Sequence, residues 1–196
     1  MGTVASDNGG KDFPQAPAGT HLAICYMVVD IGMQETHFGM KPKIVIGWEL
    51  PFELMEDGRP FAVSGFYTLS LSEKANLRKD LEAWRTRPFT EEEVKGFDVK
   101  NVLGKPCQVT IIHNLKDGKT KASVAGVAGV PKGADGKFIQ APAAKNELLY
   151  FDMDNPDKAT LEKLPEWIKK QIASAANRPK DMPVESTVSG ESAVPF

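Results

Sequence analysis

Three β-rich apolar runs come before the first helical stripe of this chain, and two more flank an Asp-Gly pair after it. The first, Thr20 to Ile31, is rich in β-branched and apolar residues between Gly19 and Gly32, which predicts a strand. The second, Lys43 to Glu49, sets Ile44, Ile46 and Trp48 on one face and Lys43, Val45 and Glu49 on the other. The third, Phe61 to Leu71, alternates Phe61, Val63, Tyr67, Leu69 and Leu71 with Ala62, Ser64, Phe66, Thr68 and Ser70. The period then changes. Leu77, Leu81 and Trp84 fall at i, i+4 and i+7, a helical spacing, with Ser72 placed as an N-cap. Thr90 and Glu93 form a capping-box pattern that opens a second short helix, and Gly96 is placed to end it in the left-handed conformation. Two β-rich runs, from Lys105 and from Lys119, then flank Asp117-Gly118, a hairpin signal because both residues tolerate positive φ. Residues 147–154 suggest one more short strand. Pro165 opens a last helix with Trp167, Ile168 and Ile172 as its apolar stripe.

Three strands, a helix and two strands is the order of a five-stranded OB-fold, a Greek-key barrel in which the helix between strands 3 and 4 plugs one end. The expected architecture is therefore mainly β with α+β elements, with a C-terminal helix added. The domain should span residues 19–177. A Gly- and Pro-bearing arm (1–18) and a tail (178–196) without hydrophobic periodicity read as disordered.

Composition narrows the function. With 41% hydrophobic residues, 196 residues can bury one ordinary core. No run approaches the ~18 apolar residues of a membrane helix, and residues 1–11 lack the apolar segment of a signal peptide. Cys25 and Cys107 are too few and too far apart for a disulfide scaffold or a metal knuckle, so a cytoplasmic setting is expected. A net charge of -2 excludes a globally basic nucleic-acid binder. It does not exclude a local one: seven lysines between Lys105 and Lys145 face only Asp117 and Asp135.

Catalytic signals are poor. His21, His37 and His113 have no metal-ligand spacing, and no nucleophile elbow or phosphate loop is present, so no enzyme, metal or cofactor is expected. Acidic residues at Glu53, Glu56 and Asp57, and at Asp152, Asp154 and Asp157, keep a metal-dependent nuclease as an alternative. Binding signals are better. Phe66 sits on the polar face of the third run, as an aromatic for base stacking would. Lys41, Lys43, Arg59, Lys116, Lys119 and Lys121 are the candidate phosphate ligands. Tyr26 and Trp48 read as core, and Arg78, Lys79, Arg85 and Arg87 as partners of nearby acids. Glu191, Val194, Pro195 and Phe196 offer a ring and a carboxylate on an acidic arm, suited to a hydrophobic pocket beside a basic residue.

The final residues, ESAVPF, resemble the acidic Pro-Phe tip of bacterial single-stranded DNA-binding proteins, although only Glu191 is acidic here. The stretches GWELPFELMEDGRPFAVSGFYTLSL, EKANLRKDLEAWRTRPFTEEEVKGFDVKNVLGKPC and LPEWIKKQI resemble phage and prophage single-stranded DNA-binding proteins of the OB-fold type. These stretches cover Gly47 to Cys107 and the last helix. The resemblance implies the barrel and the ligand class. The expectation is a non-catalytic, largely sequence-independent single-stranded DNA binder serving phage-type replication or recombination, with partners recruited through the tail. The alternatives are a protein-interaction module and the nuclease. A homo-oligomer is left open.

Overall fold

The computed structural model describes residues 14–116 and 118–179, without the side chains of Lys116 and Lys119. The chain forms β1 (Gly19–Thr36), β2 (Gly39–Leu54), β3 (Pro60–Thr68), α1 (Asn76–Arg85) and α2 (Glu91–Lys95). A 3-10 turn (Val99–Val102) leads to β4 (Pro106–Lys116), β5 (Lys119–Ala128), β6 (Leu149–Phe151), α3 (Lys158–Lys163) and α4 (Glu166–Ala173).

The strands hydrogen-bond in the order β3-β2-β1-β4-β5, and β6 joins β1 in parallel. Neighbours along that order are antiparallel. The first strand has different partners on its two edges. One edge carries β2 along most of its length. The other carries β4 from Gly19 to Ile24 and then, past a bulge at Tyr26, β6 from Met27 to Val29.

This arrangement corrects the OB-fold expectation and the fold implied by the family resemblance. A closed barrel needs a ladder between β3 and β5, and none forms; both remain edges of an open six-stranded sheet. The physical reason lies in β3 and α1. With nine residues, β3 is short, and α1 bridges the two edges instead of a ladder. Its Asp80 accepts from the Tyr67 hydroxyl of β3 at 2.7 Å. Its Ala83 carbonyl accepts from Gly129 N, just past β5, at 3.0 Å. The result is a mixed α+β fold.

One face of the sheet holds the expected core. Cys25, Val28, Ile44, Ile46, Trp48, Val63 and Tyr67 pack there with Val109, Ile111 and Val127, and the α1 stripe of Leu77, Leu81 and Trp84 covers them. The Trp84 indole N–H donates to the Pro106 carbonyl at 2.8 Å, tying α1 to the start of β4. The opposite face carries a second core that the alternation pattern did not announce. Met27, Val29, Ile31 and Val45 are covered there by Phe151 and Met153 and by Leu161, Leu164, Ile168 and Ile172 of the α3–α4 region.

Local signals fared unevenly. The Thr90–Glu93 capping box is present in full. Gly96 closes α2 with φ of -173°, extended and not left-handed. The first helix starts at Asn76, four residues after the expected Ser72 cap, and its N-cap Ala75 has no side-chain bond. Pro165 caps α4 from outside. No helix of the described residues is long and apolar enough to cross a membrane.

Candidate nucleic-acid interface

Strand parity sends Lys43, Val45, Gly47 and Glu49 of β2 to the face opposite Trp48, and Ala62, Ser64, Phe66 and Thr68 of β3 lie opposite Glu49, Gly47, Val45 and Lys43 on the same face. No continuous trough runs along this face, because the protein's own segments cover its middle. Helix α4 lies over Val29 and Val45. Further along β2, Glu49 is fully buried, and its carboxylate accepts from Lys145 N, Asn146 N and Asn146 Nδ2 at 2.7–2.8 Å. The segment after β5 is thus latched down over the sheet.

What stays open is a strip at the edge. Phe66 is 55% exposed and packs beside Trp167 of α4, itself 40% exposed, with ring centroids 5.6 Å apart and planes tilted by 51°. On β2 next to this pair, Lys43 donates to Thr68 Oγ1 at 2.8 Å and is half-buried. Two residues earlier, Lys41 is exposed and lies opposite Gln34 of β1. Lys170, one helical turn after Trp167, is exposed and has no ion pair among the described residues. The strip thus joins two half-exposed rings to three lysines that no carboxylate among the described residues neutralises.

Phe66, Lys41 and Lys43 are therefore brought together. Arg59 is not. It sits in the β2–β3 connection near the opposite end of β1, and its guanidinium is paired with Asp57 at 2.6 Å and 2.8 Å. Lys121 is exposed on β5 opposite Asn114, in the β4–β5 hairpin that extends past the start of β1, where Gly19 faces Ile111. The backbones of Lys116 and Lys119 close that same hairpin. The candidate cations thus divide between the two ends of β1. Glu191, Val194, Pro195 and Phe196 lie outside the described residues.

Two residues of the strip escape a reading by sequence pattern, and one of them carries a signal. The expected apolar stripe groups Trp167 with Ile168 and Ile172. Ile168 and Ile172 are four apart and both buried, so a residue at 167 is turned about 100° away from them. Strict i/i+4 spacing therefore frees Trp167. Nothing comparable marks Lys170, and nothing in a strand pattern marks the buried Glu49.

Other candidates have structural roles. His21 bonds Glu53 and the Pro17 carbonyl, and His113 bonds the Ala16 carbonyl. Asp157 caps α3 and Asp152 accepts from Asp154 N. Among the described residues no group of three or more His, Cys, Asp or Glu is placed to hold a metal ion. Cys25 and Cys107 are free and fully buried, and burial pushes the Cys25 thiol up to about 12. At neutral pH it is a protonated core residue with no nucleophilic character. No protein-family model matches the chain, and no curated protein matches it.

Proposed function

We propose that this protein is a non-catalytic, largely sequence-independent binder of single-stranded DNA, held along the Phe66–Trp167 strip. The observation that carries the proposal is the juxtaposition of two half-exposed aromatic rings with Lys41, Lys43 and Lys170 on one sheet edge. Unpaired bases have free faces to stack on such rings, at about 1–3 kcal/mol per base, and duplex bases do not. The lysines release counterions on meeting phosphates, a contribution independent of sequence. Since the strip is short, it grips a few nucleotides, without the encircling groove of a barrel. The resemblance of residues 47–107 to phage single-stranded DNA-binding proteins supports DNA as the ligand and replication or recombination as the setting.

The test uses intrinsic fluorescence. Trp48 and Trp84 are buried, whereas Trp167 lies in the strip. Titration with oligo-dT should quench the Trp167 contribution, and a Trp167→Phe variant should lose that signal while still binding. Affinity should fall as salt rises. Equal affinity for a duplex of the same length would refute the proposal, and preference for oligo-U over oligo-dT would move the ligand from DNA to RNA. Mg²⁺- or Mn²⁺-dependent cleavage of the oligonucleotide would establish the nuclease instead. Deleting residues 178–196 should leave DNA affinity intact or raised; loss of binding would place the ligand-binding groups in the tail.

A further inference from the structure

The turn joining β1 to β2 holds the most exposed large apolar side chain of the described residues. Phe38 is 89% exposed, and Met40 beside it is 42% exposed. Turns favour residues that water or the backbone can satisfy, such as Gly, Asn, Asp and Ser. A bare phenyl ring at this place gains nothing from the fold.

The backbone that carries the ring is held in place. Thr36 and Gly39 pair across the turn, leaving His37 and Phe38 as its two central residues. The Thr36 hydroxyl donates to the Gly39 carbonyl at 2.7 Å and accepts from Phe38 N at 3.2 Å. Gly39 supplies the positive φ, +86°, with which the chain returns. The root of the hairpin is clamped as well. Gln34 Nε2 donates to the Gln171 carbonyl at 2.8 Å, Met33 N donates to Asn177 Oδ1 at 2.7 Å, and Ala176 N donates to the Met33 carbonyl at 3.0 Å. A backbone already fixed in position leaves only the side chain's own rotamers to be ordered when a ligand meets the ring.

We infer that Phe38 is a second stacking point for the same bound strand, so that the strand runs from the Phe66–Trp167 pair past Lys43 and Lys41 to the hairpin tip. The inference rests on the single-strand reading of the strip. The path follows β2: Phe66 lies opposite Val45, and seven residues of strand separate Val45 from Phe38, at most roughly 23 Å at 3.3 Å per residue. A stacked single strand rises about 3.4 Å per nucleotide, so about seven nucleotides reach from one stacking point to the other. A twelve-nucleotide strand therefore engages both.

The experiment measures oligo-dT12 affinity for the full chain and for Phe38→Ala and Phe38→Trp. Losing one stacked base should weaken binding about 5- to 150-fold in Phe38→Ala. Phe38→Trp should restore it and add a fluorescence signal quenched by dT12. Phe38 touches no core, so folding should be unaffected, and circular dichroism checks this. If wild-type protein binds dT12 and Phe38→Ala binds it within twofold, this inference is overturned while the strip stands. If wild-type protein does not bind dT12, both fall. A Phe38→Trp signal that responds to lipid vesicles and not to dT12 would also overturn the inference, assigning the tip to a membrane surface.

Discussion

Of the places in this molecule that bring aromatic rings and cations together, the α1–α2 cluster and the β2–β3 edge differ in almost everything else. Around α1 and α2, Arg85 lies over the Phe89 ring at 4.3 Å and near the Phe97 ring at 5.2 Å. Its guanidinium also pairs with Glu93, which pairs with Arg87, and Arg78 pairs with Glu82. Phe89 is buried. Each of these charges has an opposite charge, and each ring has a cover. At the β2–β3 edge the rings are half-exposed and the lysines face no carboxylate among the described residues. The same residue chemistry, rings and cations, occurs in both regions. What separates a structural cluster from a candidate binding strip is whether the protein already supplies an opposite charge and a cover.

That contrast is broken most directly by removing the open rings. Replacing both Phe66 and Trp167 by Ala should lower oligo-dT affinity by roughly 30-fold or more, since each ring is asked to stack about one base at about 1–3 kcal/mol. Fluorescence anisotropy of a labelled oligonucleotide measures this. Both rings are half-exposed, so thermal unfolding should shift little. An unchanged affinity would place the ligand elsewhere and reduce the strip to an uncovered helix edge.

The charges give the next effect in size. Lys41→Gln with Lys43→Gln should weaken binding about 10-fold and flatten the log–log salt slope by about 1.4, or 0.7 for each single-strand phosphate that is no longer neutralised. In the satisfied region, Arg87→Gln should change DNA affinity by less than about twofold, because its charge is already committed to Glu93. Should Arg87→Gln flatten the slope as much as the lysine pair does, the boundary between the two regions is drawn in the wrong place.

The same distinction explains what is legible in the amino-acid sequence. Strand alternation and the Leu77–Leu81–Trp84 spacing are legible because a buried face imposes a strict period on the residues that fill it. The β4–β5 hairpin and the Thr90–Glu93 box are legible because each depends on neighbours along the chain. Closure of the sheet is not legible, since it depends on whether β3 and β5 meet, residues far apart in sequence. The second core is hidden for a related reason. Val29, Val45 and Ile31 are as apolar as any strand residue, and alternation does not say that α4 returns to cover them. In the site, Phe66, Lys41 and Lys43 are legible as a polar-face aromatic and two strand lysines. Arg59 misleads because its partner Asp57, only two residues away, looks from sequence like a member of an acidic cluster and not like its ion pair.

The smallest effect tests the satisfied region alone, through acid. Hydrogen bonds from Arg87, followed by the Thr90 backbone N–H and Arg85, hold the Glu93 carboxyl down at about 2, from an ordinary value of 4.5. A carboxyl with a depressed value in the folded state binds fewer protons there than when unfolded. Its stabilising contribution is therefore complete above pH 4.5, and it is lost progressively as pH falls toward 2. Chemical unfolding followed from about pH 6 to about pH 2.5 should show a decline in stability that Glu93→Gln reduces, with the variant less stable than wild type at the upper end and nearly equal to it at the lower. A Glu93→Gln variant that declines as steeply as wild type would show that the arginine cluster is held by its rings, with the carboxylate contributing little, and the two regions would then be more alike than their ion pairs suggest.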